Sequence, residues 1–121
     1  MSAKVTSYQK GIDAEEAAAD YLRAQGFEIL QERYKTKFGE IDIIASKGKL
    51  LIFCEVKAHS ESSASLYAVT MRSRRRIEKS ALWFLSEYSN YNDFDMRFDV
   101  AVFNHGGKCV EYLDNAWEVG A

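Results

Sequence analysis

The sequence predicts an α/β protein, a mixed β-sheet of about five strands flanked by helices. Three observations carry that expectation. Apolar residues recur at helical spacing in two segments, one near the start and one in the middle of the chain. Between and after them lie short strand-like runs bounded by Gly, Asn, Asp and Ser, because the chain has no proline. One of these runs, Leu50 to Val56, is apolar on both faces, which marks a central strand.

The first helix is expected from about Tyr8 to Gln25, closed by Gly26. Ala14, Ala17, Ala18, Tyr21 and Leu22 share one side of it, and the alanines suit close packing on a sheet. Phe27 to Arg33 reads as the first strand. Glu40 to Lys47 and Leu50 to Lys57 then form a hairpin with Gly48-Lys49 as its loop. Glycine at the first central position suits a type II′ turn. Ser60 to Ser65 reads as a polar loop, and Thr70 as the N-cap of a second helix ending near Tyr88. Ile77, Ala81, Leu82, Phe84 and Leu85 supply its apolar face. After the polar loop Ser89 to Asp95, Met96 to Phe103 is a strand. His105-Gly106-Gly107 then turns the chain into a last strand, Lys108 to Leu113. Trp83, Phe84 and Trp117 are assigned to the core, with Trp83 or a tyrosine from Tyr88 to Tyr91 as the alternative candidate for stacking on a base.

At 121 residues and 13.8 kDa the chain fits one domain with a continuous core. Its 47% apolar and 28% charged residues exclude a disordered polymer. No apolar run reaches the ~18 residues that span a bilayer. The polar start, MSAKVTSYQKG, lacks a secretory stretch, so a cytoplasmic location and no membrane partner are expected. Cys54 and Cys109 are too few for a disulfide framework or a zinc cage and read as free thiols. A net charge of −2 and a pI near 5.7 exclude a protein that coats nucleic acid by bulk attraction. Contact with nucleic acid must come from a local patch, and Arg72, Arg74, Arg75, Arg76 and Lys79 supply one. Arg72, Arg75, Arg76 and Lys79 share a side of the second helix; such a run is also the usual make-up of a solvated face.

Chemistry concentrates on the hairpin. If Gly48 and Lys49 form its loop, Lys47 pairs with Leu50, and the register puts Asp42 opposite Glu55 and Glu40 opposite Lys57. Directly paired Cβ atoms lie ~4.5–5.5 Å apart. Two carboxylates at that range repel by about 3 kcal/mol at an effective dielectric near 20. A divalent cation such as Mg²⁺, taking carboxylate and phosphate oxygens together, would offset that repulsion. Lys57, on the same strand face as Glu55, could orient or deprotonate a water or steady phosphate charge. The bare pattern of Asp, a dozen residues, then Glu-x-Lys also fits a salt-bridged strand end. Glu15 lies at the rim of the first helix's apolar face, within reach of a metal or its water, whereas Glu16 points away. Arg97 and Asp99 share a strand face and read as a structural ion pair. His59 could reach phosphate beside the site, and His105 reads as a turn residue.

The segments Gly11-x-x-Ala14-Glu15-x-x-Ala18-x-x-Tyr21-Leu22-x-x-x-Gly26-Phe27, Gly39-Glu40-Ile41-Asp42, Phe53-x-Glu55-Val56-Lys57 and Arg97-Phe98-Asp99-Val100 occur in this order. Together they resemble the YraN family of small bacterial proteins, over roughly Tyr8 to Trp117. That family is similar to archaeal Holliday-junction resolvases and belongs with the restriction-endonuclease-like PD-(D/E)xK fold. The resemblance implies Asp42 and Glu55 as ligands of Mg²⁺ or Mn²⁺, Lys57 as catalytic lysine and Glu15 as an accessory carboxylate. It implies hydrolysis of DNA phosphodiesters, with branched or single-stranded DNA as candidate substrates, and a homodimer by analogy with junction-cleaving relatives. A catalytically inactive nucleic-acid-binding or adaptor protein on the same fold is the alternative. The chain departs from the family pattern at two positions. His59 stands where an arginine is usual, and Ser73 where a lysine is usual early in the second helix.

Overall fold

The computed structural model describes residues 6–58, 71–104 and 106–119. The first helix, α1, spans Ser7–Ala24. Its start is fixed by Thr6, whose hydroxyl accepts the Gln9 N–H at 3.1 Å. At its end Gly26 takes φ 94; its N–H bonds the Arg23 carbonyl while the Phe27 N–H reaches back to Leu22. This double closure is why the helix stops at the expected glycine.

The five strands are β1 (Glu28–Thr36), β2 (Gly39–Lys47), β3 (Leu50–Ala58), β4 (Asp95–Phe103) and β5 (Cys109–Trp117). They form one mixed sheet in chain order, antiparallel except for β3 against β4. A parallel pair needs a long crossover, and α2 (Met71–Glu87) lies in it. A short 3₁₀ turn, Ser89–Tyr91, follows α2. The fold class is the expected one. Two strands outrun their expected ends: β1 continues past Arg33 to Thr36, and β5 past Leu113 to Trp117. The expected polar loop 60–65, the Thr70 cap, His59 and His105 lie outside the described residues.

Each helix covers one face of the sheet. Ala14, Ala18, Ala19 and Leu22 of α1 pack on Ile43, Ala45, Ile52, Cys54, Ala101 and Phe103. Ile77, Ala81 and Phe84 of α2 pack on Ile44, Leu51, Phe53, Phe98, Val100 and Val102. Consecutive β3 residues therefore feed opposite cores, which accounts for the unbroken apolar run. Phe84 and Trp117 are buried as expected, but Trp83 is 38% exposed, and Leu82 more so. On α2 the buried positions are Ile77, Ser80, Ala81 and Phe84, so the adjacent position 83 rotates out of the core. Cys54 and Cys109 are free thiols.

The expected Arg97–Asp99 ion pair is part of a larger buried network. Asp99 has no solvent exposure. It accepts Arg97 Nε at 2.8 Å and Arg97 Nη2 at 2.9 Å. It also accepts the Tyr112 hydroxyl and, at 3.0 Å, the Asn115 N–H. Asn115 has φ 49, and this bond holds β5 through the irregular step that lets it run on to Trp117.

Candidate active site

The β2–β3 hairpin builds the site. Gly48 takes φ 58 while Lys49 stays out of the positive-φ region, the combination a type II′ turn requires. The resulting register runs as expected from Lys47↔Leu50 through Ile43↔Cys54. There the backbone ladder ends, one step before the expected Asp42–Glu55 pair; nor does Glu40 pair with Lys57. The Asp42 side chain sits at the break. Its Oδ2 accepts the Val56 N–H at 2.8 Å, taking the place of a backbone carbonyl, so the two strands part around a carboxylate.

This insertion still brings Asp42 to Glu55. The Glu55 side chain is 19% exposed, and Lys57 Nζ lies 3.9 Å from its Oε1. Burial, then the charge and hydrogen bond of the neighbouring Asp42 carboxylate, push the Glu55 carboxyl up to about 8, against a weaker opposing pull from Lys57. Glu40 adds to the negative field. Glu55, pressed against the Asp42 carboxylate, thus favours its protonated form near neutral pH. A divalent cation would replace that proton, so the donor set fits Mg²⁺ or Mn²⁺. Among the described residues no group of three or more His, Cys, Asp or Glu side chains is placed to hold a metal. Asp42 and Glu55 alone would leave most of the coordination shell to water and phosphate oxygens, which is how Mg²⁺ usually binds.

Glu15 joins the site from α1. Burial raises its pKa, with Asp42 and Glu40 adding repulsion. Arg33 opposes them: its Nε donates to Glu15 Oε1 at 2.7 Å. Ile12, Glu15, Glu16, Glu32, Arg33 and Asp42 line a cleft of about 240 Å³. Glu16, expected to point away from the apolar face, is exposed and stands at the outer edge of this cleft.

Arg33 is the site residue that sequence reasoning missed. Its neighbours pair as Glu32↔Ile43 and Tyr34↔Ile41, which sets Arg33 across from Asp42 on the adjacent strand. Its φ of 53 is one that a bulky residue holds only when its surroundings impose it. Here the Glu15 ion pair and the Tyr8 ring, 5.9 Å from the guanidinium, supply those surroundings. Its place in the site follows from the β1–β2 register, which local sequence does not set.

The basic cluster is divided. Arg72, Arg75, Arg76 and Lys79 are exposed on α2. Arg74 is half-buried, with its guanidinium 5.8 Å from the centre of the Trp117 ring, apart from the face that the other four were expected to share.

Stability and any metal binding at this site would be coupled through Glu55. Its folded-state pKa lies above the ordinary carboxylate value, so the metal-free protein loses stability as pH rises toward about 8 and levels off beyond it. A metal needs the carboxylate form. The increase in melting temperature produced by Mn²⁺ is therefore expected to be larger at pH 9 than at pH 6. Differential scanning fluorimetry with and without Mn²⁺ measures it. An equal or smaller increase at pH 9 contradicts the proposed role of Glu55.

Comparison with known proteins places the chain in a family. The model of the "Uncharacterised protein family UPF0102" matches residues 14–103, from the first helix through β4. A UPF0102 protein of Bradyrhizobium diazoefficiens is 43% identical over 97 residues, covering 80% of this chain and 73% of the relative. One from Rhodopseudomonas palustris is 41% identical, covering 81% and 75%. One from Azorhizobium caulinodans is 36% identical over 116 residues, covering 96% and 88%. The matched span contains Glu15, Asp42, Glu55 and Lys57, and the chain belongs to the UPF0102 family, the YraN family that its motifs resemble.

Proposed function

We propose that the protein is a Mg²⁺- or Mn²⁺-dependent nuclease that hydrolyses DNA phosphodiester bonds. One observation carries the reading: two carboxylates from adjacent strands meet where the ladder parts, with an amine 3.9 Å from one of them. Asp42 and Glu55 would hold the ion, which when bound polarises phosphate and lowers the pKa of water. Lys57, 42% exposed, reaches the open side of the pair and can steady charge growing on a phosphate oxygen. Glu15, held by Arg33, is placed to accept a proton from a water in the cleft. Asp42 also anchors the Val56 N–H, so the metal-holding group is rigid before substrate arrives.

The test is a cleavage panel of duplex, single-stranded and four-way DNA with Mg²⁺, Mn²⁺ or chelator. Cutting that needs the ion and stops with chelator is the expected result; no cutting of any substrate rejects the reading. The serine at position 73, where the family pattern that the motifs resemble has lysine, favours one rival, a binding protein without turnover. Salt-sensitive DNA binding that survives loss of both carboxylates, with no cleavage, would establish it.

A further inference from the structure

The exposed edge of α2 ends in aromatic rings that the nuclease chemistry does not use. Arg72, Arg76, Lys79 and Trp83 follow one another at helical spacing of four, three and four residues, so they form a line along the helix, all exposed. Phe38, from the β1–β2 turn, meets the end of this line. Its ring stands edge-on to Trp83 at 6.2 Å between centroids. Lys37 Nζ lies 5.3 Å from the Phe38 centroid and 5.4 Å from that of Trp83, and Lys79 Nζ lies 5.7 Å from Phe38. Two lysines and two rings thus share one surface.

The turn is fastened to the helix. Thr36 Oγ1 and the buried Ser80 hydroxyl are 2.8 Å apart, and the same Oγ1 accepts the Phe38 N–H at 3.0 Å. Phe38 is therefore held beside α2 before any ligand arrives. The surface also adjoins the active strand: a Cβ built on Gly39 would lie 3.7 Å from that of Arg76. Gly39 begins β2, and Asp42 follows three residues later, about 10 Å along an extended strand.

We propose that Lys37, Phe38, Lys79 and Trp83 form a stacking platform for unpaired nucleobases, with Arg72 and Arg76 tracking the attached backbone. A duplex offers phosphates but keeps its base faces stacked internally, whereas a single strand offers both. Ammonium groups over the rings can move to phosphate as a base replaces them, so the same lysines serve both states. The platform rests on the reading of the chain as acting on DNA and narrows its substrate to single strands or the unpaired part of branched DNA.

The test measures binding with chelator present, so that no cleavage intervenes. Fluorescence anisotropy compares a labelled oligothymidylate with a duplex of equal length, for the full chain and for Trp83→Ala, Trp83→Gln, Trp83→Phe and Lys79→Ala. Trp83→Ala and Trp83→Gln are expected to weaken single-strand binding about tenfold or more, with duplex binding changed less than about twofold. Trp83→Phe retains most of the affinity. Lys79→Ala lowers the salt slope by about one, and the Trp83 variants leave it unchanged. Unchanged single-strand affinity in both non-aromatic variants overturns the proposal, as does equal loss on duplex. Loss of self-association in sedimentation with single-strand affinity intact would also overturn it, marking the face as a contact between copies. A protein that binds single strands here yet cuts nothing keeps the platform and loses the nuclease reading. One that cuts but ignores Trp83 does the reverse.

Discussion

Under the proposed mechanism, Asp42→Asn is expected to lower metal-dependent cleavage by at least about a thousandfold while leaving the protein folded. Losing a metal ligand forfeits several kcal/mol of charge stabilisation, and each 1.36 kcal/mol is about tenfold in rate. The substitution separates the two tasks of this side chain. Asparagine keeps an acceptor oxygen for the Val56 N–H, so the 2.8 Å bond and the parted hairpin persist. It removes the charge that repels Glu55, so the Glu55 pKa falls and the metal-free variant should melt no lower than wild type at pH 9. Asp42→Ala would strand the Val56 N–H and confuse lost chemistry with lost structure. Cleavage rates and melting curves on one preparation decide the matter. A variant that cuts as fast as wild type removes Asp42 from the mechanism.

Asp99→Ala should cost about 3 kcal/mol or more of stability. The carboxylate is wholly buried and serves four donors, among them both guanidinium contacts of Arg97. Removing one partner of a buried ion pair typically costs about 3–5 kcal/mol, because the other charge is left without compensation. Arg97 keeps some exposure, which places the expected loss at the lower end. Chemical denaturation measures the change. A loss under about 1 kcal/mol would mean that water replaces the carboxylate and that the network adds little to the fold. Because β5 is tied through Tyr112 and Asn115, amide exchange in β5 should quicken more than in β2.

The sequence made the hairpin legible because its information is local. Gly48-Lys49 sets the turn, the turn sets the register, and the register brings Asp42 near Glu55. The end of the ladder was not legible, since it depends on a side chain choosing a backbone N–H over solvent. Arg33 was hidden for a related reason: its role needs the β1–β2 alignment and a backbone conformation unusual for arginine. Trp83 was misplaced because positions 83 and 84 are both large and aromatic. Which of them enters the core depends on how the helix is rotated against the sheet, which the pattern at that end of α2 leaves open. The buried Asp99 was read correctly as an ion pair, but its ties to Tyr112 and Asn115 come from a strand expected to end sooner.

The position of the parted strands also bears on how the chain folds. Hairpins commonly close from the loop outward within microseconds. Here the electrostatic conflict sits at the end remote from the loop, beyond Ile43 and Cys54. Early zippering therefore never sets two charged residues opposite one another, and the discordant acids come together after most of the hairpin is in place. Frustration confined to the last step would leave the folding rate nearly untouched and raise the rate of local opening at the place where the proposed ion would enter.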